Sequence, residues 1–172
     1  MKKLGKKVLA SALILSLAAG LCACTTYTNF KNAFFGDEKV ATERTIKIGV
    51  FEPMSGKNKT EGNEEVMGIE LAHNLYPEVC GKTVELVYGD NKSDMYTGET
   101  AIQELISANS PSVILGSYGE TLTLIAGKYV KANNIPAITI SSTNPLVTTN
   151  NEYYFSATYS ETRQGDALAD FA

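Results

Sequence analysis

From Ile46 onward, short β-rich runs alternate with stretches of helical apolar spacing, and that order leaves few folds open. Residues 46–51 (IKIGVF) read as a strand. A polar loop follows, through Met54-Ser55-Gly56 to Gly62. Residues 63–76 set Met67, Leu71 and Leu75 at i, i+4 and i+8, one face of a helix that Pro77 and Gly81 stop. Residues 83–88 alternate as a second strand, with Val84, Leu86 and Tyr88 on one side, and residues 89–94 form a turn-rich loop. A second helix over 97–109 turns Ile102, Leu105 and Ile106 inward. Residues 112–115 are a short apolar strand, as in a parallel sheet covered on both faces. A third helix over 121–133, a fourth strand over 135–140 and a fifth over 153–155 complete the pattern.

Strands that alternate with helices pair in parallel through right-handed crossovers, so the expected fold is α/β with a doubly wound parallel sheet. Such sheets bind ligands outside the carboxyl ends of their strands. Three segments meet that edge: 54–62, 116–121 and 141–145. They bring hydroxyls, glycines and backbone N–H groups just ahead of helices, where helix N-termini favour anions. The pattern therefore suggests a small anionic or zwitterionic ligand held by backbone and hydroxyl groups.

The first residues read as an address. Lys2, Lys3, Lys6 and Lys7 precede an apolar stretch over 8–21, which is 14 residues long. A membrane-spanning helix needs about 20, whereas a secretory h-region has this length and this basic flank. Leu21-Cys22-Ala23-Cys24 resembles a bacterial lipobox, with cleavage between Ala23 and Cys24 and lipid on Cys24. The rival reading is an ordinary signal peptide followed by a chance cysteine. With Cys22 removed and Cys24 lipidated, Cys80 has no intrachain partner and reads as a half-buried free thiol. Residues 25–44 are polar and without a clear period, and read as a tether.

Charge and residue types narrow the function. Residues after position 23 hold 11 basic and 19 acidic side chains, a net −8. A nucleic-acid binder needs a basic face, so none is expected. The chain has one His, no Trp and three Cys, little material for a zinc cluster or a histidine-centred catalytic site. No G-x-G-x-x-G follows the first strand and there is no P-loop, so an enzyme on this sheet is the weaker alternative and no cofactor is implied. His73 reads as a solvated histidine, and Asp90 and Asp94 as turn and cap residues rather than a metal site. Ser160 caps a helix over 161–172 that carries Ala167, Leu168 and Phe171 on one face. Ending inside that helix suggests a truncated or partial sequence.

Taken in order, the segments resemble the type I periplasmic-binding fold, specifically the branched-chain amino-acid substrate-binding proteins of ABC transporters. The matching residues are Ile46-Lys47-Ile48-Gly49, Met54-Ser55-Gly56, Gly62, Gly68 and Leu71-Ala72. They continue with Asp90-Asn91 to Asp94, Ile114-Leu115-Gly116-Ser117-Tyr118, Asn134 to Ile138, Ser142 to Leu146 and Gln164-Gly165. The resemblance implies two hinged lobes that close on a solute. Residues 1–23 would be a lipoprotein signal peptide and 24–44 the lipidated cysteine and tether. Residues 45–159 would be most of lobe one, and 160–172 the truncated start of lobe two. The implied protein is exported and held by lipid on the outer face of the cell membrane, where it delivers an amino acid to an ABC permease. The alternative is a receptor of the same fold that senses an amide or cationic solute without transport.

In that family the ligand carboxylate is gripped by the loops after strands three and four. Carried over, these give Tyr118, Glu120 and Thr121 from the first loop and Ser141, Ser142 and Thr143 from the second. Tyr118 can also be read as a packing aromatic, and Thr143-Asn144-Pro145 as a turn that opens a helix. Glu120 stands where the family has a small hydroxyl residue. It either turns outward in the first helical turn or faces a cationic or amide group of the ligand.

Overall fold

The computed structural model describes residues 45–172. The expected signal peptide, Cys24 and the tether lie outside the described residues. The elements run β1 (Thr45–Glu52), α1 (Lys59–Leu75), β2 (Glu78–Val79), β3 (Lys82–Asp90), α2 (Met95–Asn109) and β4 (Val113–Gly116). After these come α3 (Glu120–Asn133), β5 (Ala137–Thr139), a 3-10 turn (Pro145–Val147), β6 (Tyr154–Ser156) and α4 (Glu161–Phe171).

One six-stranded sheet has the order β2-β3-β1-β4-β5-β6. Every pairing is parallel except the two-residue β2, which runs antiparallel to β3 and makes the sheet mixed at that edge. A two-residue strand is too short to leave a period in the sequence, which explains its absence from the expected elements. The chain steps from β1 to β3 on one side, then back across β1 to β4, so the winding direction reverses between β1 and β4. Right-handed crossovers then put α1 on one face and both α2 and α3 on the other. Val66 and Ile69 of α1 pack with Val50 on one face. Ile102 and Leu105 of α2 and Leu122, Ala126 and Val130 of α3 pack with Phe51 and Ile114 on the other. Each fully buried side chain of this size contributes about 1.5–3 kcal/mol.

The helix ends follow local chemistry. Asp94 Oδ1 accepts the Thr97 N–H at 2.8 Å and caps α2. Ser110 (φ 49°) and Asn134 (φ 55°) take left-handed conformations that close α2 and α3. Ser160 Oγ accepts from Arg163 N and opens α4, as expected.

Three expectations need correction. Met67, Leu71 and Leu75 are 62%, 61% and 64% exposed, so the apolar face read for the first helix is not its buried face. The buried residues of α1 are Gly62, Val66 and Ile69. His73 continues that stripe: it is half-buried, with Nε2 3.0 Å from Val84 O, rather than solvated. Cys80 is exposed rather than half-buried. Among the described residues no helix is long and apolar enough to cross a membrane.

Candidate functional site

The point where the winding reverses is the crevice such a sheet offers a ligand, and here it lies at the carboxyl ends of β1 and β4, where Phe51 pairs with Gly116. Period-2 alternation puts Glu52 on the Val50 face, under α1. Glu52 is fully buried. Its Oε2 accepts the Tyr118 N–H at 2.7 Å, a bond that spans the crevice. Gly116 has φ +114°, and a Cβ there would come within 2.2 Å of Phe51 O and 2.5 Å of Glu52 Oε1. Burial first, and then the charge of Glu65, pushes the Glu52 carboxyl up to about 9, against the pull of the Tyr118 N–H.

The loop before α1 is built by Asp90. Its Oδ1 accepts from Met54 N at 3.0 Å, Ser55 N at 3.2 Å and Lys92 N at 2.9 Å, and its Oδ2 accepts the Ser55 hydroxyl at 2.6 Å. Burial works against this carboxylate, but the four donors together hold it below its ordinary value. Ser93 Oγ accepts from Asn58 N at 2.9 Å, which joins the loops after β1 and β3. Gly56 (φ +83°) crosses beneath them, and a Cβ there would lie 2.0 Å from Lys92 O.

The loop after β4 is held from three sides. Asn91 Nδ2 donates to Ser117 Oγ, and Thr123 Oγ1 donates to Ser117 O at 2.8 Å and Gly119 O at 2.7 Å. From β6, Tyr154 Oη donates to Gly116 O at 2.5 Å. Burial, and then the Glu52 charge, raises the Tyr154 phenol above its usual range.

The expected site residues divide. Tyr118 is half-buried and lines a cavity of about 650 Å³ between α1 and the sheet, together with Glu65, Leu86, Leu115 and Ile140. Ser142 is buried, with its N–H on Thr139 Oγ1 at 3.1 Å. The Oγ atoms of Ser141 and Ser142 are both buried and without a partner. Thr143 is half-buried beside them, and its carbonyl accepts from Glu161 N at 2.9 Å. Glu120 is exposed as the first residue of α3, where its carboxylate accepts from the Asn144 side-chain amide. Thr121 stands apart, lining a groove between α2 and α3 with Tyr96 and Lys128. Tyr118, Ser141, Ser142 and Thr143 thus share the carboxyl edge, and the Thr121 side chain does not join them.

Sequence reasoning missed Glu52, Ser117 and Thr123. Glu52 had a legible signal, since alternation from Ile48 and Val50 continues to it, but an acid next to Pro53 reads as the start of a loop. Among the described residues no group of three or more His, Cys, Asp or Glu could hold a metal.

Residues 45–172 match the family model described as periplasmic binding protein. A leucine binding protein from Thermotoga maritima is 32% identical, with a TM-score of 0.69 over 74% of this chain and 36% of that one. A branched-chain amino acid transporter substrate binding protein from Streptococcus pneumoniae, in complex with isoleucine, is 28% identical, with a TM-score of 0.64 over 67% of this chain and 34% of that one. An ABC transporter solute binding protein from R. palustris, in complex with 4-hydroxybenzoate, is 26% identical, with a TM-score of 0.62 over 67% and 32%. No curated protein sequence matches the chain. The chain spans about a third of the length of these solved structures. With the family model matched from the first residue of β1 to the last residue of the chain, on a sheet of this winding, the chain belongs to the periplasmic binding protein family.

Proposed function

We propose that this chain carries the first lobe of an exported solute receptor that serves an ABC permease, with residues 45–159 as that lobe and 160–172 as the start of the second. The solute on this reading has a carboxylate and an apolar body, and a branched-chain amino acid is the preferred candidate. The observation that carries the reading is the pair of buried, unpartnered hydroxyls of Ser141 and Ser142 at the carboxyl edge. A buried hydroxyl without a partner costs free energy until an acceptor arrives. The relatives support the class: one is named for leucine, and two hold isoleucine and 4-hydroxybenzoate, each a carboxylate on an apolar frame. Glu120 is exposed, and its carboxylate accepts from the side-chain amide of Asn144, the residue after Thr143. Lipid on Cys24 would hold the receptor at the outer face of the membrane.

Thermal shift on the natural gene product tests the reading, since a solute that binds only the native state raises its stability. Leucine, isoleucine, valine and 4-hydroxybenzoate should be compared with leucinamide, which lacks the carboxylate. At least one carboxylate solute should raise the melting temperature and leucinamide should not. A shift with leucinamide alone would refute the carboxylate reading.

A further inference from the structure

Glu52 and Glu65 are brought together by the turn between β1 and α1. Glu52 ends β1 beneath the helix, and Glu65 lies one position before Val66 on the buried stripe. Both acids border Tyr118: Glu52 through the Tyr118 N–H, and Glu65 as its neighbour in the lining of the same cavity. Glu52 Oε1 and Glu65 Oε2 are both buried, and neither has a hydrogen-bond donor. Two ionised carboxylates in such a position would repel, while one proton between them satisfies both oxygens.

We propose that Glu52 and Glu65 share one proton, and that this acid pair is a positioning device that fixes the Tyr118 segment against α1. Glu52 uses Oε2 for the Tyr118 N–H, at 2.7 Å, which leaves Oε1 for the shared proton. The surrounding groups offer no substitute. From α1, Glu61 and Glu64 line the same cavity and add negative charge, and His73 lies two turns further along. From β6, the Tyr154 hydroxyl is committed to Gly116 O. From the β4–α3 loop come the Tyr118 N–H and the Ser117 hydroxyl, which donates to Tyr118 O at 3.1 Å. Among the described residues no Lys or Arg lines the cavity. Helix, strand and loop are thereby coupled through a single proton. The membership of Tyr118 in a solute site rests on the reading above, whereas the shared proton does not.

Buried acids of this kind give a definite sign. The folded pKa, about 9, lies above the ordinary 4.5. The stabilisation is therefore complete below about 4.5, declines as pH rises, and is gone above about 9.

The full chain, carrying 13C at glutamate side-chain carboxyls, tests the proposal without any solute. One carboxyl should titrate far above the others, with a midpoint near 9; that titration should disappear in Glu52→Gln and move down in Glu65→Gln, where burial still acts but the partner acid is gone. Glutamine at position 52 mimics the protonated acid. Its melting temperature should match the wild type in acid and exceed it increasingly up to about pH 9. Exchange of the Tyr118 amide at neutral pH should stay slow in Glu52→Gln and be about tenfold faster in Glu52→Ala. If all glutamates titrate below pH 6, or if the Glu52→Gln and wild-type stability curves run parallel, the proposal is overturned. Equal Tyr118 exchange in the Ala and Gln variants overturns the positioning role. If the Ala variant does not fold, the Gln variants and the carboxyl titration still decide. A solute screen that fails while the high titration is found refutes the solute reading alone.

Discussion

Asn91 reaches across the end of β1 to donate from Nδ2 to Ser117 Oγ at 2.9 Å, and both residues are fully buried. The same amide's Oδ1 accepts from Ser93 N at 3.0 Å, so one side chain joins the loop after β3 to the loop after β4. Replacing Asn91 with Ala leaves the Ser93 N–H and the Ser117 hydroxyl without this partner. A loss of about 1–3 kcal/mol is expected, read as a lower urea midpoint with an unchanged slope.

Asp90 predicts a pH effect opposite in sign to that of Glu52. Its carboxylate is held below its ordinary value by four donors from the neighbouring loops. A depressed folded pKa gives stability that is present above about pH 4 and lost as pH falls through the folded value. Asp90→Asn should therefore be less stable than wild type at pH 7, and the gap should close as the pH drops below 4. Thermal melts across that range measure it, and a gap constant with pH would contradict it.

Gly56 is fixed by conformation and by space together. At φ +83°, with Lys92 O 2.0 Å from any added Cβ, alanine meets both strain and a backbone clash. Gly56→Ala should cost more than about 2 kcal/mol, above the 1–3 kcal/mol range's lower half for a strained residue alone. Equilibrium unfolding checks the value.

On the solute reading, Glu120 and the serine loop respond differently. Glu120 is engaged with Asn144, so Glu120→Ser in the natural gene product should leave leucine affinity within about threefold. Ser142→Ala or Thr143→Val should weaken it by about tenfold or more. A large gain from Glu120→Ser would mean that the carboxylate opposes the natural ligand. Calorimetry distinguishes these outcomes.

Lipid attachment is tested by Cys24→Ala. A single acyl chain gives marginal binding, so a di- or triacylated cysteine is what would retain the protein. The variant should move from the membrane fraction to the soluble one, and retention would overturn the lipobox reading.

The alternation of strands and helices was legible because strands covered on both faces read as short apolar runs, whereas helices buried on one face carry a period of 3.6. The first helix shows where that signal fails. Steps of four residues advance about 40° beyond a full turn each time, so Met67, Leu71 and Leu75 walk around the helix instead of keeping to one line. Gly62, Val66, Ile69 and His73, spaced by four, three and four, hold the line that meets the sheet. A glycine and a histidine within it conceal it from a search for apolar residues. The serine loop was legible through resemblance to known relatives. The Glu52–Glu65 pair was not, because the residues are 13 positions apart and each alone reads as surface acid. Only the fold, through the turn at Pro53, brings both of them to Tyr118.

The bond from Tyr154 to Gly116 sets a timetable. A chain made from its N-terminus exposes Gly116 well before Tyr154, and the two are 38 positions apart. At about 5–20 residues per second, synthesis of that interval lasts roughly 2–8 s. Until Tyr154 is made, Gly116 O lacks the hydroxyl that binds it. The loop after β4 is therefore finished by a residue that arrives late, and a newborn chain must wait for β6 before that loop takes its final shape.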